Sequence, residues 1–129
     1  MTVYSFFYNP RIENTASEVI MIIVRLTMNV RAEKRKEVMQ TLLSMIEPTR
    51  QEKGCLGYHV FQNIEDENSV SIIGEWETRE NLDRHMRSDR FGILLGTKSL
   101  LKEKQGILIY TIVHSERMKA VNTVGGKRT

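Results

Sequence analysis

The chain has a single cysteine, Cys55, so it can form no internal disulfide. One thiol fits a reducing compartment, and the expected location is the cytoplasm. Hydrophobic runs are short. The longest early one, Val19 to Val24, is far below the roughly 18 residues of a membrane-spanning helix, so no membrane partner is expected. The opening residues MTVYSFFYNP lack the basic segment and small-residue cleavage site of a secretory leader. There are only three histidines, His59, His85 and His114, and no two share a helical i, i+4 spacing. No metal site is therefore expected. A phosphate-cradling glycine loop is missing too, because Gly54-x-x-Gly57 leads into a strand rather than a helix. Negative charge is slightly outnumbered, with a formal net charge of +3, but the excess is local. Arg117, Lys119, Lys127 and Arg128 stand against Glu116 at the C-terminal end, while residues 21–114 are nearly balanced. A nucleic-acid domain would present a basic face with interleaved aromatics, so no nucleic-acid partner is expected.

What is present reads as one domain. A chain of 129 residues suits a single core that needs no staple. Residues 1–20 read as an N-terminal extension broken at Asn9-Pro10, residues 21–114 as the domain, and residues 115–129 as a basic flexible tail. Met21 heads a strong strand, so the functional chain begins at either Met1 or Met21.

IMIIVRLTMNV (20–30) alternates, with Ile22, Val24, Leu26 and Met28 on one face. Residues 31–53 predict a helix with Val38, Leu42, Met45 and Ile46 at helical spacing, loosened near Pro48 and stopped at Gly54. Residues 57–66 and 69–77 predict a hairpin joined at EDEN (65–68). Thr78 is placed to cap a helix from Arg79 to Arg87, and Ser88 to cap a second through about Leu101, weakened by Gly92 and Gly96. GILIYTIVH (106–114) is the last strand. The order β-α-β-β-α-β predicts an α+β, ferredoxin-like fold, a four-stranded antiparallel sheet with helices on one face. Both faces of the first and last strands are apolar. Helices cover one face, so the other is expected to meet a second copy in a homodimer.

GCLGYHVFQNIEDEN followed by GEWETRENLDRHMRSDRF resembles the antibiotic biosynthesis monooxygenase (ABM) domain family. The resemblance rests on Gly54-Cys55, Tyr58, Trp76, Leu82, His85, Ser88 and Phe91, in that order. It implies a dimeric α+β barrel with a pocket between each sheet and its helices. It also implies a cofactor-independent monooxygenase, which oxidises a quinol-like or polycyclic aromatic molecule with O2 as co-substrate and without metal, flavin or heme. Aligned on Ser88 and Phe91, the positions that heme-degrading relatives use hold Val24, His85 and Leu95, none of which matches. Two alternatives stay open: a non-catalytic dimeric small-molecule-binding module, and an isomerase of a small carbonyl metabolite.

Cofactor-free oxygenation asks a site to remove a phenolic proton, stabilise the anion and exclude bulk water. Imidazole is the side chain suited to such a proton near neutral pH. His85 shares a helix face with Leu82 and Met86, so it points inward and is the candidate catalytic base. Trp76, Tyr58, Leu82 and Phe91 are the candidate substrate-binding residues, with Trp76 as an aromatic wall whose N–H is available and Tyr58 as a phenolic donor. Each has a plainer reading as core. A histidine on an apolar face is often satisfied by a backbone carbonyl or a carboxylate, and a tryptophan that ends a strand usually packs. Gly74, beside Trp76 on the same strand face, leaves room either for a ligand or for a neighbouring side chain. Cys55 reads as a small buried residue.

Overall fold

The computed structural model describes residues 18–118. Most of the expected N-terminal extension and basic tail lie outside the described residues.

Strand β1 (Met21–Asn29) follows its alternation, with Ile22, Val24, Leu26 and Met28 buried and the intervening side chains less so. A single 3-10 turn, Ala32–Lys34, then leads into helix α1 (Arg35–Arg50). Val38, Leu42, Met45 and Thr49 are the buried residues of α1, and their spacing of three or four keeps one face toward the sheet. The helix runs through Pro48 rather than stopping there. Its last turn closes on the Gln51 N–H, shared between Glu47 O at 3.2 Å and Pro48 O at 3.3 Å. The missing proline N–H thus costs a bond without ending the helix.

Gly54 then takes φ of +82°, a left-handed conformation that glycine adopts without steric cost. Strand β2 (Cys55–Gln62) pairs with β3 (Ser69–Trp76) through an irregularity between Cys55 and Gly57. β2 ends sooner than residue 66 because Asn63 and Asp66 build the turn. Asn63 Oδ1 accepts from Glu65 N at 2.7 Å and Asp66 Oδ1 from Asn68 N at 3.0 Å, the side-chain-to-backbone closure that favours Asn and Asp in turns.

Helix α2 (Arg79–Met86) is capped by Thr78, whose Oγ1 accepts from Asn81 N at 3.1 Å. Helix α3 (Asp89–Gly96) is capped by Ser88, whose Oγ accepts from Phe91 N at 3.2 Å. A 3-10 turn, Thr97–Leu100, follows, and strand β4 (Gly106–Ile112) completes the chain order. The strands lie in the order β2-β3-β1-β4, every pair antiparallel. This is the α+β, ferredoxin-like arrangement that the order of elements predicts.

Two buried clusters lie between sheet and helices. The larger one includes Leu26, Val38, Leu42, Tyr58, Ile72 and Phe91. The smaller one is Ile22, Val24, Trp76 and Leu82. Burying one such aliphatic side chain contributes about 1.5–3 kcal/mol. Cys55 and Met86 pack against both clusters, where the two meet. Among the described residues no helix is long and apolar enough to cross a membrane.

Candidate functional site

The buried ends of β2 and β3 meet α2 and α3 around one imidazole. His85 arrives on the inward face of α2, three residues beyond Leu82, and the turn that follows fixes it. Ser88 Oγ donates to His85 O at 2.6 Å while also capping α3. That junction brings Phe91, on the first turn of α3, edge-on to the His85 ring, with centroids 5.3 Å apart and planes at 69°. Trp76, the last residue of β3, stacks on the His85 ring at 4.6 Å and 28°. Tyr58, opposite Gly74 in the β2–β3 register, closes a third edge at 6.3 Å. Leu82 packs with Trp76 and is fully buried. All five expected residues, His85, Trp76, Tyr58, Leu82 and Phe91, therefore gather in one place.

The room beside Gly74 is taken by a neighbouring side chain. A Cβ at that position would lie 2.9 Å from Trp76 Nε1, 3.2 Å from Val24 Cγ1 and 3.5 Å from Tyr58 Cδ1. Any larger residue at this position would overlap the Trp76 indole, so glycine is what leaves room for it. Trp76 has no exposed surface and His85 only 3%, so a ligand reaching the imidazole must first part the side chains that cover it. Surface hollows of about 240 Å³ (at Arg50, Cys55, Leu56, Gly57 and His59) and about 350 Å³ (at Val19, Ile22 and Glu77 to Arg79) border this region without including Trp76 or His85.

The polar side of the site comes from residues that the sequence patterns do not single out. His85 Nδ1 lies 2.9 Å from Glu52 Oε1, and Glu52 Oε2 accepts from Arg90 Nη1. Glu52 sits in the turn after α1, held by Glu52 N to Thr49 O at 3.0 Å and by Cys55 N to Glu52 O at 3.1 Å. Thirty-three residues separate Glu52 from His85, and no periodicity links them. The only available signal was chemical: a buried histidine usually has a carboxylate or carbonyl partner.

Burial, reinforced by the Glu52 carboxylate, pushes the Tyr58 phenol up to about 12. The phenol is a neutral donor across the ordinary pH range. Burial likewise raises the Cys55 thiol, which disfavours the thiolate and with it nucleophilic chemistry. Two buried polar atoms, Trp76 Nε1 and Thr49 Oγ1, have no hydrogen-bond partner among the described residues. The Thr49 hydroxyl is near enough to Tyr58 to temper its phenol, but meets it outside hydrogen-bond geometry. An unsatisfied buried donor costs about 1–3 kcal/mol. Among the described residues, no three His, Cys, Asp or Glu side chains gather as metal ligands.

Residues 21–92 match the family model described as antibiotic biosynthesis monooxygenase. The chain belongs to that family. The matched stretch takes in β1 through the start of α3 and every residue of the site named above. A conserved protein of Methanosarcina mazei is 31% identical and has a TM-score of 0.68, with 77% of this chain and 97% of that one covered. An uncharacterized protein of Synechocystis is 28% identical over 98 residues, covering 75% of this chain and 67% of that protein. YcnE of Bacillus subtilis, whose name assigns it provisionally to the monooxygenases, is 27% identical over 82 residues, covering 63% of this chain and 86% of its own. Membership in the antibiotic biosynthesis monooxygenase family gives a monooxygenase-like function at the family level and names no substrate.

Proposed function

We propose that the protein is a cofactor-independent monooxygenase acting on a quinol-like or polycyclic aromatic substrate, with His85 as the catalytic base. One observation carries this reading. A buried imidazole, anchored through Nδ1 to Glu52, lies against an indole whose N–H has no partner among the described residues. A substrate oxygen bound there would accept from Trp76 Nε1, while His85 takes the phenolic proton. Tyr58 would add a neutral phenolic donor, with Leu82 and Phe91 as apolar walls.

For an anthrone-type ring the balance is simple. The ring CH2 becomes C=O with one oxygen atom of O2. The other oxygen leaves as water with the two hydrogens, and the substrate supplies all four electrons. O2 is the co-substrate, and the reaction calls for no metal, flavin or heme.

The working unit of this reading is a homodimer. Direct pairing puts Tyr110 opposite Ile23, and Leu108 and Ile73 opposite Arg25, on the sheet face away from the helices. Leu108 is 49% and Tyr110 39% exposed, apolar groups on a mixed face that a second copy would cover.

A second reading has its own support. Complete burial of Trp76 suits a packed module that holds a small molecule elsewhere or catalyses nothing. An O2 electrode with an aromatic quinol distinguishes the two. The monooxygenase reading expects enzyme-dependent uptake that falls about 100-fold or more in His85→Ala. Absence of turnover, together with a ligand-induced rise in melting temperature, would favour the binding module. Turnover without O2 consumption would indicate the isomerase.

A further inference from the structure

The Glu52 carboxylate ties the turn after α1 to the α2–α3 corner, 33 and 38 residues further along the chain. It projects from the turn after α1, while its partners His85 and Arg90 come from α2 and α3. The side chains are 18% exposed for Glu52, 4% for His85 and 33% for Arg90. An ionised carboxylate only accepts hydrogen bonds. In the neutral ring, the nitrogen facing it must therefore carry the proton, which leaves the lone pair on Nε2. The ring has little freedom to choose otherwise. A half-turn about its own bond would set carbon against Glu52 Oε1, between Trp76 stacked at 4.6 Å and Phe91 edge-on at 5.3 Å.

We propose that Glu52 and Arg90 are positioning residues for His85: Glu52 selects the tautomer with a basic Nε2, and Arg90 holds Glu52 at the angle that does so. The proposal rests on the reading of His85 as proton acceptor. In that step the substrate O–H bond breaks, its electron pair stays on the phenolate oxygen, and the proton forms a new bond to Nε2. The imidazolium keeps its Nδ1–H on Glu52, which offsets the new positive charge. Arg90 balances the carboxylate before the proton arrives and prevents it from swinging toward solvent. A purely structural clamp would tie the same three segments together without controlling the proton.

Two readouts separate these roles. Long-range ¹⁵N–¹H correlation reports the His85 tautomer. Steady-state O2 uptake with an aromatic quinol reports kcat and KM. The full chain is expected to show His85 protonated at Nδ1. In Glu52→Gln the amide can donate to that nitrogen, so the Nε2–H form should appear, and kcat should fall roughly 10- to 1,000-fold with KM changed by less than about threefold. Arg90→Gln should lower kcat about tenfold, with Arg90→Lys restoring most of it because an ammonium still holds Oε2. The Arg90 pair carries the test if Glu52→Gln does not fold. A wild-type tautomer and wild-type kcat in Glu52→Gln, or equal kcat in Arg90→Gln and the full chain, would overturn the proposal. If uptake depends on His85 but not on Glu52 or Arg90, this proposal fails alone. If His85→Ala leaves uptake unchanged, the base reading fails with it.

Discussion

Tyr58 shows how one side chain reports on the whole site. Its phenol is pushed up to about 12, first by burial and then by the Glu52 carboxylate. In the unfolded chain it would ionise near its ordinary value of about 10. Above that value the unfolded state holds fewer protons than the folded one, so stability falls as pH rises. The contribution of Tyr58 is complete below about pH 10 and is lost on the way to about 12. The stability difference between the full chain and Tyr58→Phe should therefore be constant below pH 10 and shrink above it, as read by urea unfolding across that range. A difference that stays flat to pH 12 would mean that the phenol is not desolvated.

At the element scale, local chemistry was legible and long-range pairing was not. The alternation of β1 and the Thr78 and Ser88 caps act within a few residues of themselves, so spacing alone exposes them. The same holds for Leu82 and His85 sharing a helix face. The turn, by contrast, begins at Asn63, inside the stretch 57–66 that reads as strand. Glu52 and Arg90 were invisible because their role exists only after α1 and α3 have packed. The filling of the space beside Gly74 by the Trp76 indole likewise depends on a rotamer rather than a pattern.

The turn carrying Glu52 has its own test. Gly54 combines φ of +82° with an Asn81 side chain that would lie 2.2 Å from an added Cβ. Asn81 is itself fixed, as its Oδ1 accepts from Thr78 Oγ1 at 2.7 Å. Gly54→Ala should cost about 2 kcal/mol or more, from backbone strain and overlap together. Thermal or urea unfolding checks it, and an unaltered midpoint would contradict the account of the turn.

For the whole molecule, the feature to explain is a sheet with helices on only one side. Phe61 on β2 lies opposite Ser71, on the outer side with Leu108 and Tyr110, and is 53% exposed. These apolar groups sit beside Arg25, Thr27 and Glu75, so the face is mixed rather than oily, as suits a surface that forms after the subunit folds. A homodimer should sediment at about twice the 15.0 kDa of the chain. Leu108→Lys should shift it toward monomer by placing a charge in the apolar contact. A monomer at micromolar concentration would contradict the dimer.

The His85 site lies on the opposite, helix-covered side of the sheet, so its chemistry depends first on residues of the same chain. The most direct measurement is therefore O2 uptake by the purified protein with an aromatic quinol, compared between the full chain and His85→Ala, with circular dichroism showing both folded. The account predicts enzyme-dependent uptake in the full chain and a loss of about 100-fold or more in the variant. Equal uptake by the two folded proteins would contradict it.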